Sequence, residues 1–513
     1  MENESVNNKR LAKNALMLYL RMFVSMAISF YTSRIVLEAL GVSDYGIYNL
    51  VGGIIALMAI VNSALSGSTG RYLSYSLGEN NPEKLKTTFS TAFFIHLFFT
   101  ALFIVLAETI GLWFVNIHLV IPDDRMVAAN FVYQAAVIST ALGITQVPYN
   151  ALISSHEHFG IFALIDIVYS LLKLSIAIIV LYSVSDHLIL YSILYAVVAI
   201  LVMMFYRIYC LHHFVESHLQ WKRDKNLTKQ MMSFMGWTFV NNASMTASQQ
   251  INNVFINWFF GTLINAAVGL ATQVQGMAYT FINNISMAFQ PQIVKEYANG
   301  NYERVNHLVF MGTKFAAICT LLISIPIIVK IDFLMSLWLK EVPSGVVTIT
   351  QLLLVNNIFN SLNPFTYMAI SASGKVKDIN ILCSIVYIVS VCVVYSILYM
   401  GGSYNLVYSF LLFQPLLTGL FYIIILRKLI NNFPITRFLF GIHLPIVLIG
   451  LVTYICSMCL TANIYNEISS LISVVFVTLT LVSCLSYIFI FSKGDRGYIK
   501  SYIAEKINLN KQK

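Results

Sequence analysis

Apolar runs of about twenty residues follow one another from residue 15 to residue 491, separated by short polar breaks. A bilayer's hydrocarbon core is spanned by roughly 20 residues of helix. Inside it every backbone N–H and C=O must be bonded within the segment, so runs of this length form helices. The pattern predicts about 14 spans, at 15–38, 46–69, 88–115, 127–153, 160–184, 188–211, 232–259, 264–290, 306–331, 346–371, 378–400, 404–426, 438–461 and 468–491. The fold class is therefore all-α, a polytopic membrane protein. The third span is long and the seventh unusually polar.

The polar breaks orient the chain. Lys and Arg gather on the cytoplasmic side of a membrane protein, and 25 of the 31 cations fall in alternate breaks, at their rims, or in the two termini. The other side holds only Arg34, Arg125, Lys330 and Lys340, while Arg21 and Lys173 lie within spans. Both termini are expected in the cytoplasm. The first run is long and carries Arg21, so no cleavable signal is expected.

Composition agrees. Of 513 residues 58% are hydrophobic and 10% charged, against about 25% charged in soluble domains; mean hydropathy is +0.76. The net charge of +9 follows from the loop bias, and nucleic acid is not needed to explain it. All seven cysteines lie in or at the ends of spans, so no disulfide framework is expected. Cys456 and Cys459 have CxxC spacing in apolar surroundings and read as small helix-packing residues. There is no Walker motif, metal-ligand cluster or nucleophile constellation, so no cofactor, metal or catalytic residue is assigned.

The chain carries an internal repeat. At a shift of 220 residues Gly41 meets Gly261, and LGENNPEKLK (77–86) meets YANGNYERVN (297–306). ALISSHEHF (151–159) similarly matches MAISASGKV (368–376). The expected organisation is an N-lobe of six helices (1–214), a C-lobe of six (215–431), and a C-terminal pair with a basic tail (432–513). Duplication of this kind suggests two bundles about a shared pathway.

Leu40-Gly41 followed by Asp44-Tyr45-Gly46-Ile47-Tyr48-Asn49-Leu50, then Arg71, Gly78 and Glu83-Lys84-Leu85, resembles the signature of polysaccharide-type flippases. The 6 + 6 + 2 plan is similar to the polysaccharide transporter branch of the multidrug/oligosaccharidyl-lipid/polysaccharide (MOP) exporter superfamily, a MATE/MOP-like fold. The resemblance implies a Wzx-type flippase. Such a protein moves undecaprenyl-pyrophosphate-linked oligosaccharide to the outer leaflet of a bacterial inner membrane, for O-antigen, capsule or exopolysaccharide synthesis. It also brings polysaccharide polymerase machinery into view as a partner. A monomer is expected, and no nucleic-acid partner.

Candidate site residues come from polar side chains inside spans, which are costly and usually functional. Arg21, Ser25, Ser29 and Thr32 share one helical face; Arg21 either lines a hydrated cavity or snorkels to the interface. Lys173 sits mid-span with Asp166, Tyr169 and Ser170 on its face, and is either a cavity cation or half of an ion pair. Guanidinium and ammonium suit pyrophosphate oxygens, so Arg21, Lys173, Arg71 and Arg34 are the phosphate candidates. Arg34 also has a local explanation in an i,i+4 pair with Glu38, and Arg71 in ordinary positive-inside anchoring.

In the seventh and eighth spans Asn242, Thr246, Gln249, Asn253, Asn257, Gln273 and Asn284 offer amides and a hydroxyl to a glycan. Their alternative is interhelical hydrogen bonding. Glu108 and Asp166 are candidates for proton coupling, with His96 on the helix of Glu108. Pro326 and Pro364 are expected to kink or break helices. Two other functions stay open: a MATE-like cation-coupled multidrug exporter, which needs anionic groups in its cavity, and a membrane-embedded glycan polymerase or ligase.

Overall fold

The computed structural model describes residues 2–56, 59–119, 121–221, 224–339, 342–431, 433–461, 464–491 and 496. Lys222, Arg223, Lys340 and the tail cations Lys493, Lys500, Lys506, Lys511 and Lys513, counted in the charge pattern above, lie outside them. The described residues are helical throughout, with no strand.

In chain order the helices are α1 (Glu2–Ala56), α2 (Ala59–Gly78), α3 (Pro82–Leu106), α4 (Leu112–Ile117), α5 (Met126–Ser155), α6 (Phe159–Leu181), α7 (His187–His213), α8 (Lys225–Ala298) and α9 (Tyr302–Val329). There follow α10 (Ile331–Trp338), α11 (Val346–Asn360), α12 (Pro364–Ala372), α13 (Lys377–Tyr399), α14 (Tyr404–Leu411), α15 (Phe413–Leu429), α16 (Ile435–Phe438), α17 (Leu444–Thr461) and α18 (Glu467–Phe489). Among the described residues eleven helices are long and apolar enough to cross a membrane, which makes this a multi-pass membrane protein. The difference from fourteen has a physical cause. The 74-residue α8 holds two spans on either side of Gly261. The second span begins inside α1 after Gly41. The tenth is split into α11 and α12 at Pro364, whose ring cannot continue a helix and instead starts one.

The backbone carries the repeat more clearly than the side chains do. Gly41 and Gly261 leave the helical region with φ of 74° and 76°. Asn80 and its match Gly300 have φ of 52° and 73°. Glu157 and its match Gly374 have φ of 61° and 77°. Left-handed backbone favours glycine, and holding a residue with a Cβ there costs of order 1–3 kcal/mol. Asn tolerates the conformation. Glu157 has no such excuse in its local chemistry.

The chain forms two compact units. The first comprises Met1–Ala243, Gln290–Asn301 and Gly374–Lys377. In it α1 packs on α6, and α5 packs on α2, α3 and α7. Small hydroxyls stitch the helices: Ser74 bonds Ser155 at 2.9 Å and Ser76 bonds Thr88 at 3.0 Å. His96 is fully buried, its Nδ1 donating to the Ile144 carbonyl and its Nε2 hydrogen-bonded to the Thr69 hydroxyl. Both ring nitrogens are thus engaged in packing contacts.

A π-turn at Ala107–Gly111 follows α3, and there the Tyr133 hydroxyl donates to the Ala107 carbonyl at 2.6 Å. A Cβ on Gly111 would lie 2.1 Å from that hydroxyl, so only glycine admits it. At the end opposite the K/R-rich breaks, Arg125 bonds both Asp44 and Asp186. Asp186 also caps α7 through the Leu188 and Ile189 N–H groups. Arg125 and these N–H groups hold the Asp186 carboxyl below the usual range. Asp44 of the signature segment is thus fixed by a cation eighty-one residues away.

The second unit comprises Ser244–Phe289, Tyr302–Ser373 and Asp378–Lys513. Its centre is α9, against which α11, α12, α17 and α18 pack. Gly312 lets α12 approach closely: a Cβ there would fall 2.3 Å from the buried Phe365 ring. Asn363, at the break before Pro364, donates to the Pro415 carbonyl at 2.7 Å. Helices α17 and α18 bury small polar residues, including Ser457, Ser470, Thr478 and Ser486, as membrane helix interfaces do. Cys456 and Cys459 are not among them. Both are exposed and free, because the buried stripe of α17 runs through Thr453 and Ser457 instead. The packing role read from their spacing is corrected accordingly.

Candidate functional site

In the first unit, α1 and α6 bring together residues that stand far apart in the chain. The Nε of Arg21 lies 3.8 Å from Oδ2 of Asp166, and Ser25 Oγ donates to the same oxygen at 3.2 Å. The Arg21 guanidinium rests 5.1 Å above the Phe162 ring. Ser29, one turn on, is exposed, and Thr32 donates to its own helix at Ile28. Arg21 is therefore an inward group shared with a carboxylate.

Lys173 occupies a different setting two turns further along α6. Its Nζ lies 4.1 Å from the centre of the Tyr169 ring and 5.1 Å from that of Tyr195. The two tyrosine hydroxyls are 3.3 Å apart. Tyr191 stands one turn before Tyr195 on α7, and Tyr48 packs edge-on against it at 5.3 Å. Among the described residues no carboxylate comes within 4 Å of Lys173.

The magnitudes separate these cations. A Lys in mid-membrane costs roughly 2.5–3.5 kcal/mol on insertion scales. Cation–π contact returns about 0.5–2 kcal/mol. The tyrosines meet part of the cost, and water or an anion must meet the rest. Arg21, Asp166 and Lys173 together carry a net positive charge.

The other phosphate candidates lie elsewhere. Arg71 is buried between the Tyr72 and Tyr75 rings, at 4.4 and 4.6 Å. A Cβ on Gly374 would sit 3.0 Å from its Nη2, so it is enclosed in packed protein. Arg34 and Glu38 are both exposed and form no ion pair. The expected i,i+4 pair is absent because an exposed pair of this kind is worth only about 0.3–0.5 kcal/mol, too little to fix two long side chains. Glu108 lies half-buried in the π-turn and accepts from Gln134 Nε2 at 3.1 Å.

The amide stripe of α8 divides by face. Asn241, Ser248 and Asn252 are buried. Thr246, Asn253 and Asn257 are half-buried, and Gln249 and Gln273 are exposed. Side chains of the latter five make no hydrogen bond among the described residues. Asn242, in the first unit, donates to Ser63 Oγ at 2.9 Å. Asn284 is buried and donates to the Thr280 carbonyl of its own helix. Gln275 and Asn357 bond each other reciprocally. The stripe thus keeps five donor–acceptor groups accessible on α8.

The sequence places Tyr169 on the Lys173 face, but sequence reasoning missed Tyr191, Tyr195 and Tyr48 around it. Their signal is there: Tyr191 and Tyr195 at i,i+4, and Tyr48 inside the signature segment.

Residues 238–396 match the MatE family model. No curated protein matches the chain. Solved structures match at low identity over most of the length. A MATE protein in complex with MaD3S superposes with a TM-score of 0.72 at 13% identity, covering 83% of this chain and 97% of that one. A MOP-superfamily transporter from Pyrococcus furiosus, described by a reversed polarity of its binding pocket, gives 0.70 at 12%, covering 82% and 96%. A multidrug-resistance MATE transporter of the MOP superfamily in an outward-facing conformation gives 0.71 at 13%, covering 83% and 97%. The protein is an all-helical multi-pass membrane protein with the MATE transporter fold.

Proposed function

We propose that the protein is a flippase that carries a polyprenyl-pyrophosphate-linked oligosaccharide across the bacterial inner membrane by alternating access. Arg21 and Lys173 hold the pyrophosphate, and the accessible stripe of Thr246, Gln249, Asn253, Asn257 and Gln273 meets the glycan. Amides serve sugar hydroxyls without demanding one stereochemistry, since each both donates and accepts. Both termini lie in the cytoplasm, and the flipped lipid passes to polysaccharide polymerase machinery.

The observation that carries this reading is Lys173, a cation held inside a span by tyrosine faces with no carboxylate partner among the described residues. The fold alone suits a cation-coupled multidrug exporter equally well, and Asp166 offers that reading its carboxylate. Here Asp166 is already engaged by Arg21 and Ser25, and the surplus charge repels cations.

Expression in two hosts separates the readings. In a flippase-null strain with matching glycan synthesis the protein is expected to restore surface polymer. In a strain hypersensitive to cationic drugs it is expected to leave drug tolerance unchanged. Raised tolerance without restored polymer refutes the flippase reading.

A further inference from the structure

We infer that Glu157 is the pivot of a clasp that holds the 290–301 segment at the K/R-rich end of the first unit, and that this clasp must form and release in each transport cycle. The second half of that statement rests on the proposed transport function; the first does not.

The Glu157 side chain is 1% exposed. Its carboxylate accepts from Arg10 Nε at 2.8 Å and pairs with Arg10 Nη2 at 2.7 Å. From the other side come Lys295 Nζ at 3.0 Å and Gln292 Nε2 at 3.2 Å. Arg10 lies on α1 in the first repeat. Gln292 and Lys295 lie on α8 beyond Gly261, in the second. One carboxylate therefore ties the 290–301 segment, which the second repeat contributes to the first unit, to α1. Burial raises the Glu157 carboxyl, but Arg10 and Lys295 outweigh it and hold it below the usual range. It is ionised at neutral pH.

Three features mark this as more than a chance buried pair. The first is the backbone. Glu157 holds a left-handed φ where the matched position of the second repeat has glycine. Glycine would relieve the strain, so the first repeat keeps a costly residue for what its side chain does. An observed outlier of this kind points toward function.

The second is the close approach beside it. A Cβ on Gly78 would fall 2.7 Å from the Lys295 carbonyl and 2.8 Å from the Ala298 Cβ. Gly78 and Ala298 are themselves matched positions at the 220-residue shift.

The third is reciprocity. The Gly374 loop of the second repeat reaches Arg71 of the first, as the Glu157 loop reaches Lys295. The first repeat's loop carries a carboxylate, Glu157, where that of the second carries Gly374 followed by Lys375 and Lys377. The contact is thus alike in backbone and different in chemistry, with one carboxylate whose loss releases the Glu157 side. Arg10 is half exposed, so water has access to the pair when the ends part.

Hydrogen–deuterium exchange on the full-length protein in detergent or nanodisc tests the clasp without reference to cargo. Glu157→Gln, Glu157→Gly and Lys295→Ala are expected to speed exchange in 290–301 by about tenfold or more, the response of a segment whose local closure has been weakened. Segments within α9 keep wild-type rates, which also shows that the variants are folded. Lys295→Arg restores protection.

Glu157→Gly is the discriminating variant, because it removes strain and carboxylate together. A purely structural loop would become better protected; a clasp opens. Wild-type exchange in 290–301 for both Glu157 variants overturns the clasp. Faster exchange with undiminished transport overturns its role in the cycle. Failure of the wild-type protein to move any lipid-linked glycan overturns the proposed cargo and leaves the clasp standing on the exchange data.

Discussion

Replacing Lys173 with alanine is expected to cut delivery of surface polymer by about tenfold to a hundredfold at matched expression. The range follows from one hydrogen bond to a charged group, worth about 1.5–3 kcal/mol, at 1.4 kcal/mol per tenfold. Lys173→Arg keeps the charge over the same tyrosines and is expected to retain most activity. Tyr169→Phe keeps the ring face that supports Nζ, so its effect is small. Tyr169→Ala removes that face and lowers transport. This order separates a phosphate-seeking cation from a packing residue, for which Lys173→Met would be harmless. Quantified surface polymer beside membrane levels of the protein is the measurement. Wild-type polymer from Lys173→Ala contradicts the assignment.

The second large effect is expected at Gly78. Its missing Cβ is replaced by backbone of the 290–301 segment, the Lys295 carbonyl and Cα, and by the Ala298 side chain. Backbone cannot step aside as a flexible side chain does. Overpacking of this kind costs about 1–3 kcal/mol, more for larger side chains. Gly78→Val is expected to separate the segment from α2, speed its exchange as Glu157→Gln does, and reduce transport more than tenfold. Gly70→Ala is the control: it lies on the same helix with nothing within 4 Å of its Cβ position. There alanine favours the helix by up to about 1 kcal/mol, and activity near wild type is expected. Equal effects from Gly70→Ala and Gly78→Val, read by exchange and polymer, argue against close approach as the cause.

Much of this architecture is legible in the sequence because the bilayer simplifies the problem. Length and apolarity mark helices without ambiguity, and the K/R bias orders the breaks. The 220-residue shift aligns Gly41 with Gly261, and both leave the helix as glycines are suited to do. What stays hidden are contacts between helices. Periodicity places Arg21 and Ser25 on one face, but nothing in α1 says that the face meets Asp166, 141 residues from Ser25. Glu157 shows the limit most clearly. Its segment stands out only as a repeat match, while its partners lie 147 and 138 residues away. Exposed positions fail for the opposite reason. Arg34 and Glu38 have the spacing of a pair, but spacing alone supplies too little energy to form one. The tyrosines around Lys173 were visible as letters and not as a site, because aromatic residues in spans serve packing far more often than they support a cation.

The central claim is that a net positive group within the span carries the pyrophosphate of a lipid-linked glycan across the bilayer. Purified protein in proteoliposomes, loaded with a fluorescent polyprenyl-pyrophosphate oligosaccharide on one leaflet, tests it most directly. The account predicts transfer to the opposite leaflet at least about tenfold faster than in protein-free liposomes, lost in Lys173→Ala and undiminished by cationic drugs. Transfer no faster than in empty liposomes, or equal transfer by Lys173→Ala, would contradict it.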